Sequence, residues 1–223
     1  MRDVETTLAD HSPLLAHHFQ DLEQQHNAAT LGMWIFLATE VMFFGGLFTS
    51  YIVYRALHPL AFALVSRELD IVLGTLNTVV LICSSLTMAL AVYGAQTGRR
   101  QMLILCLSLT LILGLAFLGI KSDEYFHKFK DHHVPGPSFY FPGPFTEQAK
   151  MFFSLYFAMT GLHALHMIVG VGLLTVLIGM AWRGKFSPLS YHHVELSGLY
   201  WHFVDIIWIF LYPLLYLIGR HLE

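Results

Sequence analysis

Charged residues are scarce in this sequence and missing from long stretches of it. Only 12% of its 223 residues are Asp, Glu, Lys or Arg, whereas 56% are hydrophobic, and the mean hydropathy is +0.59. Residues 71–95 and 151–182 contain none of the four charged types. About 20 apolar residues at 1.5 Å per residue cross a hydrocarbon core of about 30 Å. The composition therefore excludes an ordinary soluble domain and predicts an all-α integral membrane protein.

Cysteine and basic clusters are also scarce. The two cysteines, Cys83 and Cys106, both lie in apolar runs without a CxxC or CxxCH spacing. We therefore expect no disulfide, no covalently attached haem and no zinc or other metal site on this chain. A net charge of −3 gives no reason to expect a nucleic-acid partner. The N-terminal region lacks the basic-then-apolar pattern of a cleaved signal peptide, so we expect the first span to direct insertion.

The apolar runs predict a bundle of five transmembrane helices in one domain at 30–223, after a polar N-terminal tail at 1–29. We place the spans at about 30–56, 69–95, 102–122, 150–183 and 193–220. A short surface helix is expected at 13–26, a short turn around His58-Pro59, and an irregular Pro- and Gly-rich connection up to about residue 148. Basic residues in two compact turns favour a cytoplasmic N-terminus: Arg99, Arg100, Arg183 and Lys185.

The second span carries several polar side chains that are unfavourable as a set when exposed to lipid. They are Asn77, Thr78, Ser84, Ser85 and Thr87. Side chains of this kind form hydrogen bonds between membrane helices. We interpret them as contributors to helix packing rather than as a transport path.

One carboxylate, Glu40, lies inside the first span, where a charge costs roughly 2.5 to 3.5 kcal/mol on insertion scales. On the fourth span His163 and His166 are three residues apart, and on the fifth His202 and Asp205 repeat that spacing, so each pair shares a helix face. We expect these helices to pack near the first span and their imidazoles to interact with Glu40.

Several kinds of chemistry could use these residues. A di-metal carboxylate site normally needs several Glu in a bundle interior, and only Glu40 and Asp205 lie deep in the membrane. A bis-histidine haem would need two facing ligands, and His166 with His202 is a conceivable pair. The other hypotheses are a network that neutralises Glu40 and a proton-handling site. A single carboxylate does not make a transmembrane relay, so the chain alone would be a poor proton channel.

Five segments, in order, resemble subunit III of the haem-copper respiratory oxidases: LATEVMFFGGLF, LNTVVLICSS, DEYF, TGLHALHMIVG and ELSGLYWHFVDIIWIFLY. The resemblance covers residues 28–220 and fits the bacterial five-helix type, which lacks the first two helices of longer members. It implies a subunit without catalytic or redox groups, bound to subunits I and II, which hold the haem and copper. It also implies bound phospholipids, a bacterial plasma membrane, and support of proton uptake and of active-site durability.

Residue roles follow from the same resemblance. Glu40 matches the buried carboxylate of the family, and four residues match its inward polar positions: His163, His166, His202 and Asp205. Three further residues are candidates for lipid contact: Trp34, Arg55 and Trp201. Lys121 departs from the family pattern, which usually has an uncharged residue there, and Ala164 stands where Gly is usual.

The resemblance leaves the electron donor open. Glu rather than Asp at position 40, together with the LNT motif, favours cytochrome c, but other subunits choose the donor. The alternatives within the family are subunit III of a quinol oxidase and the related protein that accompanies nitric oxide reductases. A stand-alone transporter or channel is the alternative of another class, disfavoured by the span count and the lack of inverted repeats. Membership in a respiratory supercomplex stays open.

Overall fold

The computed structural model describes residues 21–136, 139–142, 144–186 and 191–217, and every regular element within them is helical. Helix α1 is Leu22–Leu57, α2 is Pro59–Ser66, α3 is Ile71–Gln96, α4 is Arg100–Lys130, α5 is Thr146–Trp182, and α6 is His192–Tyr212, followed by a π-helical turn at Pro213–Leu217. Five of the helices in these ranges are long and apolar enough to cross a bilayer. The predicted all-α membrane class is confirmed.

The chain divides into two compact units, Met1–Met42 and Phe43–Glu223. The described part of the first unit is Asp21 followed by the N-terminal half of α1. The second unit contains the C-terminal end of α1 and all later helices. The expected surface helix at 13–26 falls mostly outside the described residues, and its last residues belong to α1.

Four helices of the second unit form a closed ring. Helix α3 packs against α4, α4 against α5, α5 against α6, and α6 against α3. The interior of the ring is filled by large side chains that are almost fully buried: Phe117, Trp201, Trp208 and Tyr216. Burying an apolar helix face against protein is no more favourable than leaving it in contact with lipid. Tight packing and interhelical hydrogen bonds must therefore hold such a ring together.

The polar residues of α3 make those hydrogen bonds, as we predicted for the second span. Thr87 shares a hydrogen bond of 2.8 Å with Thr110 of α4, and Ser85 lies 2.7 Å from a ring nitrogen of His202 on α6. The indole of Trp208 donates to the Thr78 hydroxyl at 3.1 Å. Asn77 differs from the others, because neither its nitrogen nor its oxygen has a hydrogen-bond partner within the described part of the chain.

Two turns at the same end of the ring fix where its helices stop. Gly98 and Gly184 both have φ near +69°, a conformation that glycine adopts without steric cost. The Arg100 guanidinium donates to the carbonyl of Ala181 at 3.0 Å and to that of Trp182. These carbonyls belong to the last turn of α5, where the helix dipole favours a cation.

The segment after His58 is a helix rather than the short turn that we predicted. Pro59 is the first residue of α2, where its fixed φ favours a helix and its missing N–H costs nothing. Phe62 of this helix points inward. Its ring centroid lies 5.5 Å from the ring centroid of Tyr51 and 5.5 Å from that of Phe152. Burial of this aromatic cluster stabilises the helix.

Helix α4 is longer than the third span of the prediction, which ended at residue 122, and runs on to Lys130. The polar residues beyond position 120 continue the helix because Lys121, Glu124 and Lys128 turn inward and are buried. The Lys128 ammonium donates to the carbonyl of Glu68, which anchors the extended part of the helix.

Candidate functional site

A buried ion pair lies in the interior of the helix ring. The ammonium of Lys121 is 3.0 Å from Glu124 Oε2, three residues further along α4, and the two side chains are only 2% and 4% exposed. Lys121 donates its two other protons to the hydroxyls of Tyr156 at 3.0 Å and Tyr216 at 2.7 Å. All three ammonium donors are therefore used.

The same tyrosines satisfy the carboxylate. Tyr156 and Tyr216 donate to Glu124 Oε1 at 2.7 and 2.6 Å. Four aromatic rings surround the ammonium of Lys121, with centroids 5.0 to 5.6 Å away: Tyr125, Tyr156, Trp208 and Tyr216. A buried ion pair is tolerated where its remaining donors and acceptors are satisfied, and this one meets that condition. We call these residues, Lys121, Glu124, Tyr156 and Tyr216, the lysine network.

His163 lies beside the lysine network and has no hydrogen bond in the described residues. It is 1% exposed, and its ring contacts Phe117 at a centroid distance of 5.4 Å and Trp208 at 5.2 Å. Neither ring nitrogen finds a partner within the described part of the chain. Because buried polar groups are normally paired, His163 and Asn77 mark places where the ring interior could hold water.

A second polar group faces a cavity between α3 and α6. Ser85 and His202 form the hydrogen bond already described, and Asp205 lies one turn beyond His202. Asp205 is 3% exposed, and the Ser85 side chain interacts with its carboxylate. The three side chains line a cavity of about 470 Å³ with otherwise apolar walls.

The sequence matches a known family over nearly its whole length. Residues 7–220 match the family model described as cytochrome c oxidase subunit III. The chain belongs to this family.

Relatives named for different electron donors are similar to this subunit III chain to nearly the same degree. Cytochrome c oxidase subunit 3 of Synechocystis sp. is 31% identical, over 84% of this chain and 74% of the relative. Quinol oxidase subunit 3 of Bacillus subtilis is 30% identical over 85% and 86%. Cytochrome bo(3) ubiquinol oxidase subunit 3 of Pseudomonas aeruginosa is 27% identical over 92% of both chains. The family is therefore subunit III of a haem-copper oxidase of either kind.

The residues that we predicted as one polar group do not share one environment in this subunit III. His166 Nδ1 is 2.9 Å from the carbonyl of Leu162, and its ring packs against Phe44 and Tyr200. His163 and His202 lie in the ring interior and at the α3–α6 cavity, respectively. Glu40 is half-buried within α1, in the N-terminal unit. Its pairing with an imidazole stays a prediction.

The three lipid-contact candidates differ in exposure. Trp34 is 57% exposed, and Arg55 is half-buried near the end of α1. Trp201 corrects our expectation, because its indole is 1% exposed and donates to the Ser84 hydroxyl at 3.0 Å inside the ring. Glycines on two neighbouring helices, Gly114 and Gly170, leave the space that this large side chain occupies.

In the described residues, the side chains that could bind a metal ion lie apart from one another. Among the residues that the structure describes, no three His, Cys, Asp or Glu side chains converge as ligands of one metal ion would. The two histidines of the bis-histidine hypothesis have different neighbours: His166 contacts Phe44 and Tyr200, whereas His202 binds Ser85. His166 and His202 therefore belong to two separate polar groups.

Sequence reasoning missed the lysine network. It treated Lys121 as a departure from the family pattern, and it quoted Glu124 only as part of the DEYF motif. The signal was present, because a Lys and a Glu three residues apart at the end of an apolar run can pair on one helix face. The two tyrosines that complete the network come from other elements, and only the fold brings them together.

Proposed function

We propose that this chain is the non-redox subunit III of a proton-pumping cytochrome c oxidase, which reduces oxygen to water in aerobic electron transport. The observation that carries the proposal is the subunit III family match over residues 7–220. In this role the chain packs against subunit I, stabilises its proton uptake and binds phospholipid, while subunits I and II hold the haem and copper. The complex lies in a bacterial plasma membrane, with the N-terminus of this chain in the cytoplasm.

The arrangement of charges supports a stabilising role over a stand-alone transporter. The ions of the lysine network, Lys121 and Glu124, bind each other and the same two tyrosines, so every strong donor and acceptor is used. A group that carries ions or protons across a membrane must exchange partners during its cycle. A satisfied pair in a closed ring instead makes the subunit rigid.

The identity of the electron donor is tested by isolating the complex through an affinity tag on this chain. We expect it to bring down a subunit II with a dinuclear copper motif of Cys, His and Met, and to oxidise reduced cytochrome c. A complex without this motif that oxidises only quinol would overturn the cytochrome c assignment and support the second candidate, a quinol oxidase, which the Bacillus subtilis relative favours.

The supporting role is tested at Glu40. In the assembled Glu40→Ala complex we expect oxygen reduction to persist, because the redox centres lie in other subunits, while proton uptake slows or the operational lifetime shortens modestly. Glu23→Ala is the matched control, since Glu23 is an exposed acid of the same helix. Complete loss of haem reduction in an assembled Glu40→Ala complex would contradict an auxiliary role.

A further inference from the structure

The cavity between α3 and α6 opens on the outer surface of the helix ring. Its volume is about 470 Å³, and four of the residues that line it are exposed: Ile82, Leu86, Ile206 and Ile209. Ser85 and His202 line it as well, each roughly 15 to 22 Å from the ends of its span at 1.5 Å per residue. The cavity therefore faces the middle of the hydrocarbon core, which is about 30 Å thick.

His202 brings an unused polar atom to this apolar surface. Its imidazole is half-buried, and Nδ1 lies 2.7 Å from the Ser85 hydroxyl. Nε2 is hydrogen-bonded by no described residue and is not sealed inside the protein, in contrast to both ring nitrogens of His163. The carboxylate oxygens of Asp205 are sealed, and the Ser85 side chain interacts with that carboxylate. His202 Nε2 is therefore a polar atom with which an occupant of the cavity can pair.

Lipid and water are poor partners for this nitrogen. Acyl chains have no polar atoms, and phospholipid headgroups lie at the edge of the hydrocarbon core. A buried water needs two to four polar partners, but the Ser85 hydroxyl beside Nε2 already contacts His202 and Asp205. Ionisable residues within membrane helices almost always face protein or a water-filled cavity. His202 thus indicates that protein covers this surface in the assembled complex.

The surface of α3 beside His202 has the features of a helix–helix interface. Ser85 and Ala89 are four residues apart and both line the cavity, so they lie on one face of α3. Small residues at this spacing let the backbone of a second membrane helix approach closely, and polar side chains then form hydrogen bonds between the helices. The cavity combines a small-residue face with a polar atom that such a hydrogen bond can use.

We propose that the α3–α6 cavity receives a membrane-spanning helix of another oxidase subunit, and that a hydroxyl or amide side chain of this helix forms a hydrogen bond with His202 Nε2. Serine, threonine, asparagine and glutamine fit, because each can donate or accept as the imidazole tautomer requires. Such a helix is available because, in the proposed function, this chain is one subunit of an oxidase complex. The contact places α3 and α6 against that partner subunit.

The test is site-specific photocrosslinking of the assembled complex in its native membrane. Benzoylphenylalanine replaces Leu86, which is 62% exposed at the rim of the cavity, so the larger side chain does not fill it. After irradiation and peptide mapping, we expect an adduct with a membrane-spanning segment of another subunit that carries Ser, Thr, Asn or Gln within one turn. The matched control is Ile112, 60% exposed at a similar depth on α4 outside the cavity lining, which should not label this segment.

Filling the cavity should prevent the partner helix from packing there. Ala89→Trp should reduce the Leu86 crosslink at least fivefold, because the indole occupies the cavity without altering its polar groups. Ala116→Trp is the matched control, an exposed alanine of α4 outside the cavity lining, and should leave the crosslink unchanged. Equal yields in the two variants would overturn the proposal.

Two variants of His202 separate the contact with the partner from the contact with Ser85. Asparagine places its amide near the position of Nδ1 and keeps the Ser85 contact, whereas the longer glutamine reaches the position of Nε2. His202→Asn should therefore lower the Leu86 crosslink at least threefold, while His202→Gln retains most of it. The reverse order, or no difference, would remove Nε2 from the interface. If His202→Asn fails to assemble, Ala89→Trp decides.

The remaining outcomes distinguish this interface from the proposed function. An active complex in which position 86 labels only lipid, or in which the labelled helix has no hydroxyl or amide near the adduct, would overturn the interface alone. Labelling of the same segment from both positions 86 and 112 would also overturn it, because the contact would then not be specific to the cavity. A chain that purifies without any oxidase subunit would overturn the proposed function together with the interface.

Discussion

The ammonium of Lys121 lies 3.0 Å from a carboxylate oxygen of Glu124 on the same helix, with both side chains buried in the ring of membrane helices. The two tyrosines that bind both ions extend this pair across the fold, since Tyr156 belongs to α5 and Tyr216 to the final π-helical turn. The lysine network thus ties three elements together at one point. Its energetic value depends on all its members being present.

Lys121→Met should destabilise the subunit by about 3 to 5 kcal/mol, because it leaves the buried Glu124 carboxylate without its counter-ion. The loss is measured as a lower temperature at which this chain dissociates from the purified complex. Lys130→Met is the control, since Lys130 is exposed at the end of the same helix.

The double variant Lys121→Met with Glu124→Gln should regain part of that loss, because a neutral amide no longer needs a counter-ion and still accepts from the tyrosines. If the double variant loses as much stability as Lys121→Met and Glu124→Gln lose separately when added together, the pair is not coupled. A full effect of Lys130→Met would show that lysine replacement itself, rather than the network, changes stability.

Close packing of Trp201 against two glycines gives a second prediction. A Cβ added at Gly170 would lie 2.8 Å from the indole, and one added at Gly114 would also lie 2.8 Å from it. Gly170→Ala and Gly114→Ala should each cost about 1 to 3 kcal/mol through overpacking.

Gly172→Ala and Gly119→Ala are the matched controls on the same two helices, because a Cβ at either position meets nothing within 4 Å. They should be neutral or slightly stabilising, since alanine favours a helix. The temperature at which the subunit dissociates from each of the four variant complexes distinguishes the two test variants from the two controls. Equal losses in all four would mean that a general requirement for glycine, and not the indole, sets the cost.

The long spans of this protein were predictable because lipid imposes a simple rule on sequence. A run without charges long enough to cross the hydrocarbon core must be a helix, since only a helix satisfies its own backbone there. The rule does not locate the ends of the helices. A polar residue such as Lys121 does not end a helix when it has ionic and hydrogen-bonding partners inside the bundle. The rule also failed at Pro59, a residue typical of turns that here begins a helix.

The site was only partly predictable. The i, i+3 spacing correctly placed His202 and Asp205 on a shared face, since both line the α3–α6 cavity. It did not show that His163 and His166 have different surroundings, because neighbours such as Trp208 and Tyr200 come from another helix. Trp201 was assigned to lipid contact by resemblance, but the space left by Gly114 and Gly170 turns its indole inward.

Arg100 joins the start of α4 to the end of α5, and its loss should loosen that corner. Arg100→Gln removes charge-assisted hydrogen bonds to the carbonyls of Ala181 and Trp182, at an expected cost of about 1.5 to 3 kcal/mol. Hydrogen exchange of the amides around the α5 end should accelerate. Arg99→Gln, in the exposed neighbouring residue, should leave exchange unchanged. If both variants behave alike, the effect belongs to the net charge of the turn.

His133 should make the connection between α4 and α5 sensitive to acid. Its buried ring stacks on Phe153 at a centroid distance of 4.9 Å, and burial, helped by the charge of Lys128, lowers the pKa of His133, against smaller opposing effects of Glu68 and Asp131. The folded segment therefore binds fewer protons than the unfolded one. The stability that His133 contributes is present above about pH 6.5 and is lost as pH falls below it.

Hydrogen exchange of residues 131–136 in the intact complex, corrected for the intrinsic rate, should thus show weaker protection at pH 5.5 than at pH 7.5. His133→Phe keeps an aromatic ring against Phe153 but cannot be protonated, so the pH dependence should disappear. His132→Asn is the control: His132 is exposed with φ near +57°, a conformation that asparagine tolerates. The dependence should survive in this variant. Its persistence in His133→Phe would instead assign it to another titrating group.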